Sequence, residues 1–473
     1  MNRTAAEINS SDSLYEAQQK VYPREVVGRF ARLRVSAGWI LLGLYYANAW
    51  LQWNGRQAFL FDLPARKFYV LGLVLWPQDF IFLTGLLIIA ALSLFFFTAL
   101  AGRLWCGYAC PQTVWTEVFL WMERFAEGSR GERMKLDQAP WSAKKLYRKS
   151  LKQGLWIIFA LWTGFTFVGY FTPIRSLAHE VLTASLGSWE TFWILFYGSA
   201  TYVNAGFLRE QVCKYMCPYA RFQGAMFDRD TLVITYDAER GEPRGRRRAN
   251  PAGGPAAATK TAAATAAKTG SCIDCTWCVQ VCPTGIDIRK GLQLECIACA
   301  ACVDACDAVM TRIGEPIGLI RYATQHSLEH QSTRIARPRI VIYGTLLGAL
   351  VAAWSVALAL RDPLALDVIR DRNALYRMLE DGRVENVYDL KIINKTEQAH
   401  QFKVRVTGSA ELDLDPRETT YRVGAGDVYP AGIRVRRPTY EPQGSETIRF
   451  TVEALDDPGL QASATARFIA PTR

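Results

Sequence analysis

Residues 271–307 read SCIDCTWCVQVCPTGIDIRKGLQLECIACAACVDACD. One spacing occurs twice in this stretch. The first copy is Cys272-x2-Cys275-x2-Cys278-x3-Cys282, followed by Pro283; the second is Cys296-x2-Cys299-x2-Cys302-x3-Cys306. Three thiolates on a tight loop can wrap three corners of an iron–sulfur cubane, and a fourth must come from elsewhere to close the cage. In runs of this spacing the fourth cysteine of each motif ligates the other cluster. The pattern therefore assigns Cys272, Cys275, Cys278 and Cys306 to one [4Fe–4S] cluster, and Cys296, Cys299, Cys302 and Cys282 to a second. Reciprocal closure keeps the two clusters close enough for electrons to hop between them. Pro283 helps end the local helix after Cys282. Asp307 stands where the generic run has Pro, a small departure. A pair of structural zinc sites is the alternative, but zinc spacings usually separate two CxxC pairs by a longer gap.

The chain has twelve Cys against four His. The remaining four cysteines form two further pairs, Cys106-Gly-Tyr-Ala-Cys110-Pro111 and Cys213-Lys-Tyr-Met-Cys217-Pro218. Clustering at short fixed spacings points to metal ligands held as reduced thiolates; a disulfide framework would scatter the cysteines through a small domain. On a helix, i and i+4 side chains share a face. Two thiolates so placed can clamp one soft ion, and four together could form one site for Cu(I), zinc or an iron–sulfur cluster. Arg103, Lys214 and Arg221 are expected to favour the thiolate form. The spacing does not fit covalent haem attachment, which reads CxxCH. Inert buried thiols or structural zinc are the plainer alternatives.

Outward from the cysteines, the composition indicates a membrane. Half of the 473 residues are hydrophobic and 21% are charged, in separate blocks. Five uncharged segments are long enough to cross a bilayer: Val35–Trp53, Phe80–Ala101, Gly154–Ile174, Thr191–Leu208 and Ile340–Leu360. The first and fourth carry Asn48, Gln52 and Asn204 and are the weaker. A sixth apolar run, Tyr69–Trp76, is too short. Lys and Arg concentrate in 24–34, 102–153 and just before the fifth span, which places the N-terminus in the cytoplasm, the C-terminus outside and all twelve cysteines on the inner side. The formal net charge of +11 reads as this orientation signal, not as a nucleic-acid footprint. The N-terminus shows no apolar signal-peptide core.

The expected organisation is a polytopic α-helical membrane protein. It has a cytoplasmic N-terminal segment (1–34), a first span pair (35–101), a cytoplasmic loop with the first CxxxCP (102–153) and a second span pair (154–208). A segment with the second CxxxCP (209–238) and a low-complexity linker (239–270) follow. The chain then reads as a bacterial-ferredoxin-like domain (271–339), a fifth span (340–360) and a C-terminal domain (361–473). The linker is rich in Ala, Gly, Pro and Thr and cannot bury enough surface to fold alone; its Arg246, Arg247 and Arg248 read as solvated charge. In the last domain, alternating runs at Tyr388–Ile393, Gln401–Thr407, Thr420–Val423, Ala431–Arg436, Thr447–Ala454 and Ser463–Ile469 read as strands of a β-sandwich. His326 and His330, spaced i, i+4, permit a ligand pair, and His179 reads as a lone surface residue.

Taken together, a ferredoxin module fused to a membrane thiolate site lets electrons reach that site. Low-potential clusters would reduce Cu(II) to the Cu(I) that thiolates prefer. The segments WCGYACPQTVW, CKYMCPYARFQ and CPTGIDIRKGLQLECIACAACVDACD together resemble the CcoG family, also called FixG or RdxA, over nearly the whole chain; residues 249–268 look like an insertion. The resemblance implies a cytochrome c oxidase accessory protein of the bacterial inner membrane that reduces Cu(II) to Cu(I) for assembly of cbb₃-type oxidase. It implies copper-associated thiols at Cys106, Cys110, Cys213 and Cys217, and an immunoglobulin-like periplasmic domain. It also implies the oxidase with its assembly factors and a copper-exporting P-type ATPase as partners. Related quinol-oxidising proteins share the twin CxxxCP pairs, but some carry a flavin domain for which the segment before the first span is too short. A quinol-oxidising electron carrier and a non-enzymatic assembly scaffold are the alternatives.

Overall fold

The computed structural model describes residues 20–245, 270–372, 374–408, 412–416, 419–437 and 444–471. The body of the expected linker, with Arg246, Arg247 and Arg248, lies outside the described residues. The chain forms two compact units. One comprises Met1–Trp50, Ile88–Tyr170 and Ile174–Ala349; the other comprises Leu51–Leu87, Phe171–Pro173 and Leu350–Arg473.

All twelve cysteines belong to the first unit. Among the described residues, three helices are long and apolar enough to cross a membrane: Pro77–Ala101, Ala143–Val168 and Pro338–Ala359. Three of the expected spans differ from their sequence reading. The first helix runs Arg29–Asn48 and stops before Trp53, because Gln52–Trp53 turns back to pair with Arg56–Gln57. Asn54 and Gly55 form the two-residue loop, both at positive φ (46° and 77°), as a tight hairpin requires. The fourth expected span is an α-helix only over Ser188–Thr201. It widens over Tyr202–Leu208 into π-type turns and breaks at Arg209, which has φ 39°. The third ends at Val168, and Ile174–Leu182 forms a separate short helix.

A buried charge cluster fixes the break at Arg209. Glu123, on the helix Pro111–Glu127, lies 2.9 Å from Arg209 and 3.2 Å from Arg133. Lys152 joins through Glu127 at 2.9 Å. Burial alone would raise the Glu123 carboxyl, but Arg209, Arg133 and Lys152 together hold it below the ordinary glutamate range. Gln112 donates to the carbonyls of Asn204 (2.9 Å) and Arg209 (3.1 Å), and the Asn204 carbonyl also accepts from the Arg209 amide at 2.8 Å.

The ferredoxin-like part is closed by a two-stranded antiparallel sheet, Val233–Tyr236 with Ile320–Ala323. The helix Ala301–Arg312, which carries Cys302 and Cys306, also holds the start of the first helix. Asp304 accepts the amides of Phe30 (3.1 Å) and Ala31 (2.6 Å). These are among the first-turn amides that have no partner within their own helix. Gly28 has no side chain to do this, and a Cβ there would fall 2.3 Å from the Asp304 carboxyl.

In the C-terminal part of the second unit the described residues form two antiparallel sheets. The first runs Asp413–Asp415, Val428–Arg437, Val384–Asn394, Leu364–Arg370, with Arg377–Met378 also pairing Val384–Asn394; the second runs Thr420–Val423, His400–Thr407, Ser445–Ala454, Gln461–Ile469. All six alternating runs of the sequence are strands. In His400–Thr407 the side chains of His400, Phe402 and Val404 are buried and those of Gln401, Lys403 and Arg405 are exposed, the period of a half-buried strand. Tyr388, Ile433, Phe402, Phe450 and Phe468 are buried in the core between the sheets.

The segment 51–79 is more than a connection. Phe59–Asp62, Lys67–Val70 and Leu73–Leu75 form a three-stranded sheet, so the short apolar run Tyr69–Trp76 covers the end of one strand, the turn at Leu71–Gly72 and the next strand. Val74 and Trp76 pack with Ile393. Buried Asp79 pairs with Arg361 at 2.5 Å and Lys395 at 3.0 Å.

Candidate metal centre

The two four-cysteine loops share one backbone. Asp274 and Thr276 in the first, and Ala298 and Ala300 in the second, occupy matching positions and all have φ between 51° and 59°. This conformation is strained for residues other than glycine. Alternating left- and right-handed residues turn successive N–H groups to one side, forming a concavity for negative charge. Each loop leads into a helix, Trp277–Gln280 or Ala301–Arg312.

Two small cavities mark the cysteine sets. One is lined by Cys272, Cys275, Cys278 and Cys306, with Arg289 and Tyr236. The other is lined by Cys282, Cys296, Cys299 and Cys302, with Cys278 at its edge. The crossed partners thus stand where reciprocal closure needs them. Burial pushes the Cys278 and Cys299 thiols up to about 11 and those of Cys296 and Cys306 up to about 12. A buried thiol gives up its proton when a metal takes its place, so these donors fit iron better than free thiolate. Among the described residues, no three of His, Cys, Asp and Glu converge tightly enough to grip a single ion. A cubane is a larger object than one ion, and the donor sets fit it.

The surroundings are polar where the clusters' negative charge would need it. Arg289, held by Asp287 (2.8 Å) and Asp274 (2.5 Å), lies by the first set. At the second, Arg34 donates to the Cys299 carbonyl and Arg103 to the carbonyls of Leu294 and Ala220. The Tyr322 hydroxyl donates to the Ala298 carbonyl at 2.6 Å.

The CxxxCP pairs do not lie on continuous helices as the spacing suggested. Cys106 sits in the short helix Leu104–Tyr108, and Cys110 is extended (ψ 128°), preceding the helix that Pro111 opens. Cys213 sits in the π-type turn Val212–Met216, and Cys217 is extended before the helix opened by Pro218. Proline favours the first helical position, where its missing N–H is not needed, so each CP dipeptide marks a break and a restart.

The structure brings these four thiols within electrostatic reach of one another: Cys106 feels Cys110 and Cys217, and Cys213 feels all three of the others. The expected thiolate bias from basic neighbours is corrected here. Burial pushes Cys106 up to about 11 and Cys213 up to about 12, and Arg103 pulls both the other way without prevailing. Gln223, missed in the sequence, is fully buried. Its Oε1 accepts from Cys106 Sγ at 3.5 Å while, among the described residues, its Nε2 makes no hydrogen bond. A spare buried donor beside a thiol suits a thiolate once a metal has displaced the proton. The sequence offered only one signal for it: Gln223 lies in the same short helix that Pro218 opens.

The thiol quartet abuts the second cysteine loop. Cys106 and Cys213 pack with Cys299 and Cys302 in one cluster. Gly107 approaches so closely that a Cβ there would lie 2.8–2.9 Å from the backbone of Ile297, Ala298 and Cys299. His326 and His330 do not form a ligand pair: His326 meets Asp230 at 2.8 Å and His330 meets Glu239 at 3.0 Å.

Comparison with known proteins agrees with this arrangement. Residues 208–325 match a family model described as a 4Fe-4S dicluster domain, and residues 83–128 match a 4Fe-4S binding domain. Residues 354–471 match the IG-like fold at the C-terminal of FixG. The chain is 40% identical to protein RdxA of Cereibacter sphaeroides, covering 85% of each chain. It is 38% identical to the nitrogen fixation protein FixG of Rhizobium meliloti, covering 90% of this chain and 88% of that one. The chain belongs to the FixG/RdxA family. A crystal structure of a FixG-related protein from Vibrio parahaemolyticus is 30% identical and covers 23% of this chain and 97% of that one, with a TM-score of 0.21. As a FixG/RdxA member with 4Fe–4S domains and an immunoglobulin-like C-terminal fold, the chain is an iron–sulfur protein of electron transfer, associated with membranes.

Proposed function

We propose that this protein is a membrane oxidoreductase that reduces Cu(II) to Cu(I) for assembly of cbb₃-type cytochrome c oxidase. Cys272, Cys275, Cys278 and Cys306 hold one [4Fe–4S] cluster; Cys296, Cys299, Cys302 and Cys282 hold the other. These clusters supply one-electron reduction. Cys106, Cys110, Cys213 and Cys217 are the thiols that receive copper; since no three of them converge on one ion among the described residues, a pair of soft thiolates retains the reduced ion. The observation that carries the reading is the backbone contact of Gly107 with Ile297–Cys299, which sets the quartet directly against the second cluster loop.

The protein crosses the bacterial inner membrane five times, with N-terminus and cysteines cytoplasmic and the immunoglobulin-like domain periplasmic. The distribution of Lys and Arg supports this orientation. Its partners are the oxidase, that oxidase's assembly factors and a copper-exporting P-type ATPase.

Anaerobically purified protein with reduced clusters is expected to turn over Cu(II) catalytically. Replacing Cys106 and Cys213 with Ser should abolish stoichiometric copper binding while sparing iron and sulfide. Copper bound normally by that double variant would refute the site.

One observation favours a second reading, a quinol-oxidising carrier. A cavity of about 240 Å³ beside Pro111 and Gln112 is lined by Tyr45, Trp115, Phe167 and Tyr197. Cluster reduction by a quinol analogue in the absence of copper would support it.

A further inference from the structure

The two cysteine loops share a backbone but not an environment. In the first loop Asp274, Cys275 and Thr276 are exposed, whereas the matching Ala298, Cys299 and Ala300 of the second are buried. Cys275 is the one exposed cysteine of the twelve. The side chains agree with the burial: Asp and Thr stand where the loop meets water, and Ala takes both places in the loop that Gly107 approaches. Charge marks the rim of the exposed loop. Trp277, its next residue, carries two exposed arginines: the guanidinium of Arg24 lies 4.1 Å from the ring centroid and that of Arg312 lies 5.3 Å from it. Neither has an ion-pair partner among the described residues. The acids nearby are engaged. Asp274 and Asp287 share Arg289 at 2.5 and 2.8 Å, Glu242 meets Arg244 at 3.3 Å, and Glu315 accepts from Ser271 at 3.1 Å. Glu25, next to Arg24, lines a cavity with Cys213, Arg34 and Arg124.

We infer that the first cysteine loop is the electron entry port, and that an acidic one-electron carrier protein docks over residues 274–277 with its carboxylates on Arg24 and Arg312. Electron exchange weakens steeply with distance, so a protein arriving from solution reaches iron held at Cys275 before it reaches the buried second set. Stacking on an indole holds a guanidinium in place and leaves its charge free for a partner. Encounters between electron carriers bury little surface and depend on charge to orient them. The transfer balances: the reduced carrier gives up one electron, the iron–sulfur group of the first set gains it, and no bond or proton changes hands. The inference goes beyond the copper reading, because it holds whatever acceptor lies past the second set.

The test uses full-length protein in detergent and, as the probe, pre-reduced flavodoxin, a small acidic flavin carrier. Stopped-flow reduction of wild type is expected to slow as salt is raised, since screening weakens attraction between exposed charges. The double variant R24E/R312E should react about tenfold more slowly at low salt, within the range that steering supplies. It should also bind oxidised flavodoxin more weakly, a readout that needs no electron transfer. Arg24→Lys with Arg312→Lys should keep most of the rate. Iron and sulfide equal to wild type, with reduction by the methyl viologen radical cation no slower, establish that R24E/R312E folds with its clusters intact. A wild-type rate that is flat or rises with salt overturns the inference. So do flavodoxin kinetics and binding that R24E/R312E leaves unchanged; weaker binding of that variant to anionic-lipid vesicles would then assign the two arginines to the membrane surface. Fast reduction by flavodoxin with no Cu(II) turnover keeps the port and removes the copper reading.

Discussion

At the scale of single residues, Glu123 shows what burial demands of charge. It answers two guanidinium groups, Arg133 and Arg209, inside the protein. Glu123→Ala would leave both buried without it, at a cost of about 3–5 kcal/mol, read as a lowered melting temperature in detergent. The pH dependence follows from the same pair of contacts. The folded-state pKa is depressed, so the contribution is fully present above the ordinary glutamate range. It is lost as pH falls through the depressed value. Acid unfolding should therefore begin at higher pH in Glu123→Gln than in wild type. The cysteines were legible at this scale because ligand chemistry fixes both type and spacing. Gln223 was not: it matters through what surrounds it in space and belongs to no recurring pattern.

At the scale of elements, the contact between a short helix and a loop carries the proposed electron path. Gly107 permits the helix Leu104–Tyr108 to lie against Ile297–Cys299, because backbone atoms occupy the space a Cβ would need. Gly107→Ala should push the two apart and cost about 1–3 kcal/mol from overpacking. Iron and sulfide should stay at wild-type levels while copper reduction slows, measured in a single turnover from dithionite-reduced protein. The strands of the sandwich were readable from alternation alone, since one face of each is buried. The CxxxCP pairs were misread as helical faces because i, i+4 spacing says nothing about a proline just after the second cysteine, which restarts the helix and leaves that cysteine extended. The end of the first span was misread for a similar reason: Leu51 to Trp53 are apolar enough to extend a helix, yet Asn54-Gly55 turns them into a hairpin.

At the scale of the whole molecule, the insertion in the cysteine-bearing unit leaves and returns at one place. The Gly245 amide donates to the Cys272 carbonyl at 3.1 Å, and the Gly270 amide to the Pro243 carbonyl at 2.9 Å. Replacing residues 246–269 with a short Gly-Ser turn should keep both clusters and leave stability equal or slightly higher, since shortening a closed loop lowers its entropic cost only slowly. Iron content and thermal melting check this; loss of iron would mean the segment contributes more than a connection. The sequence suggested separate blocks in chain order. The molecule instead groups Leu51–Leu87 with the C-terminal sandwich, an association between distant parts that no local pattern encodes.

The Asp304 cap on the first helix has a consequence for biogenesis. Phe30 and Asp304 are 274 positions apart, so a ribosome releases the helix long before it makes the carboxylate that completes it. During that interval the early amides must rely on water or on lipid headgroups. The nascent chain therefore carries a built-in delay: its opening segment becomes fully seated only when the last cysteine helix has been synthesised and folded back onto it.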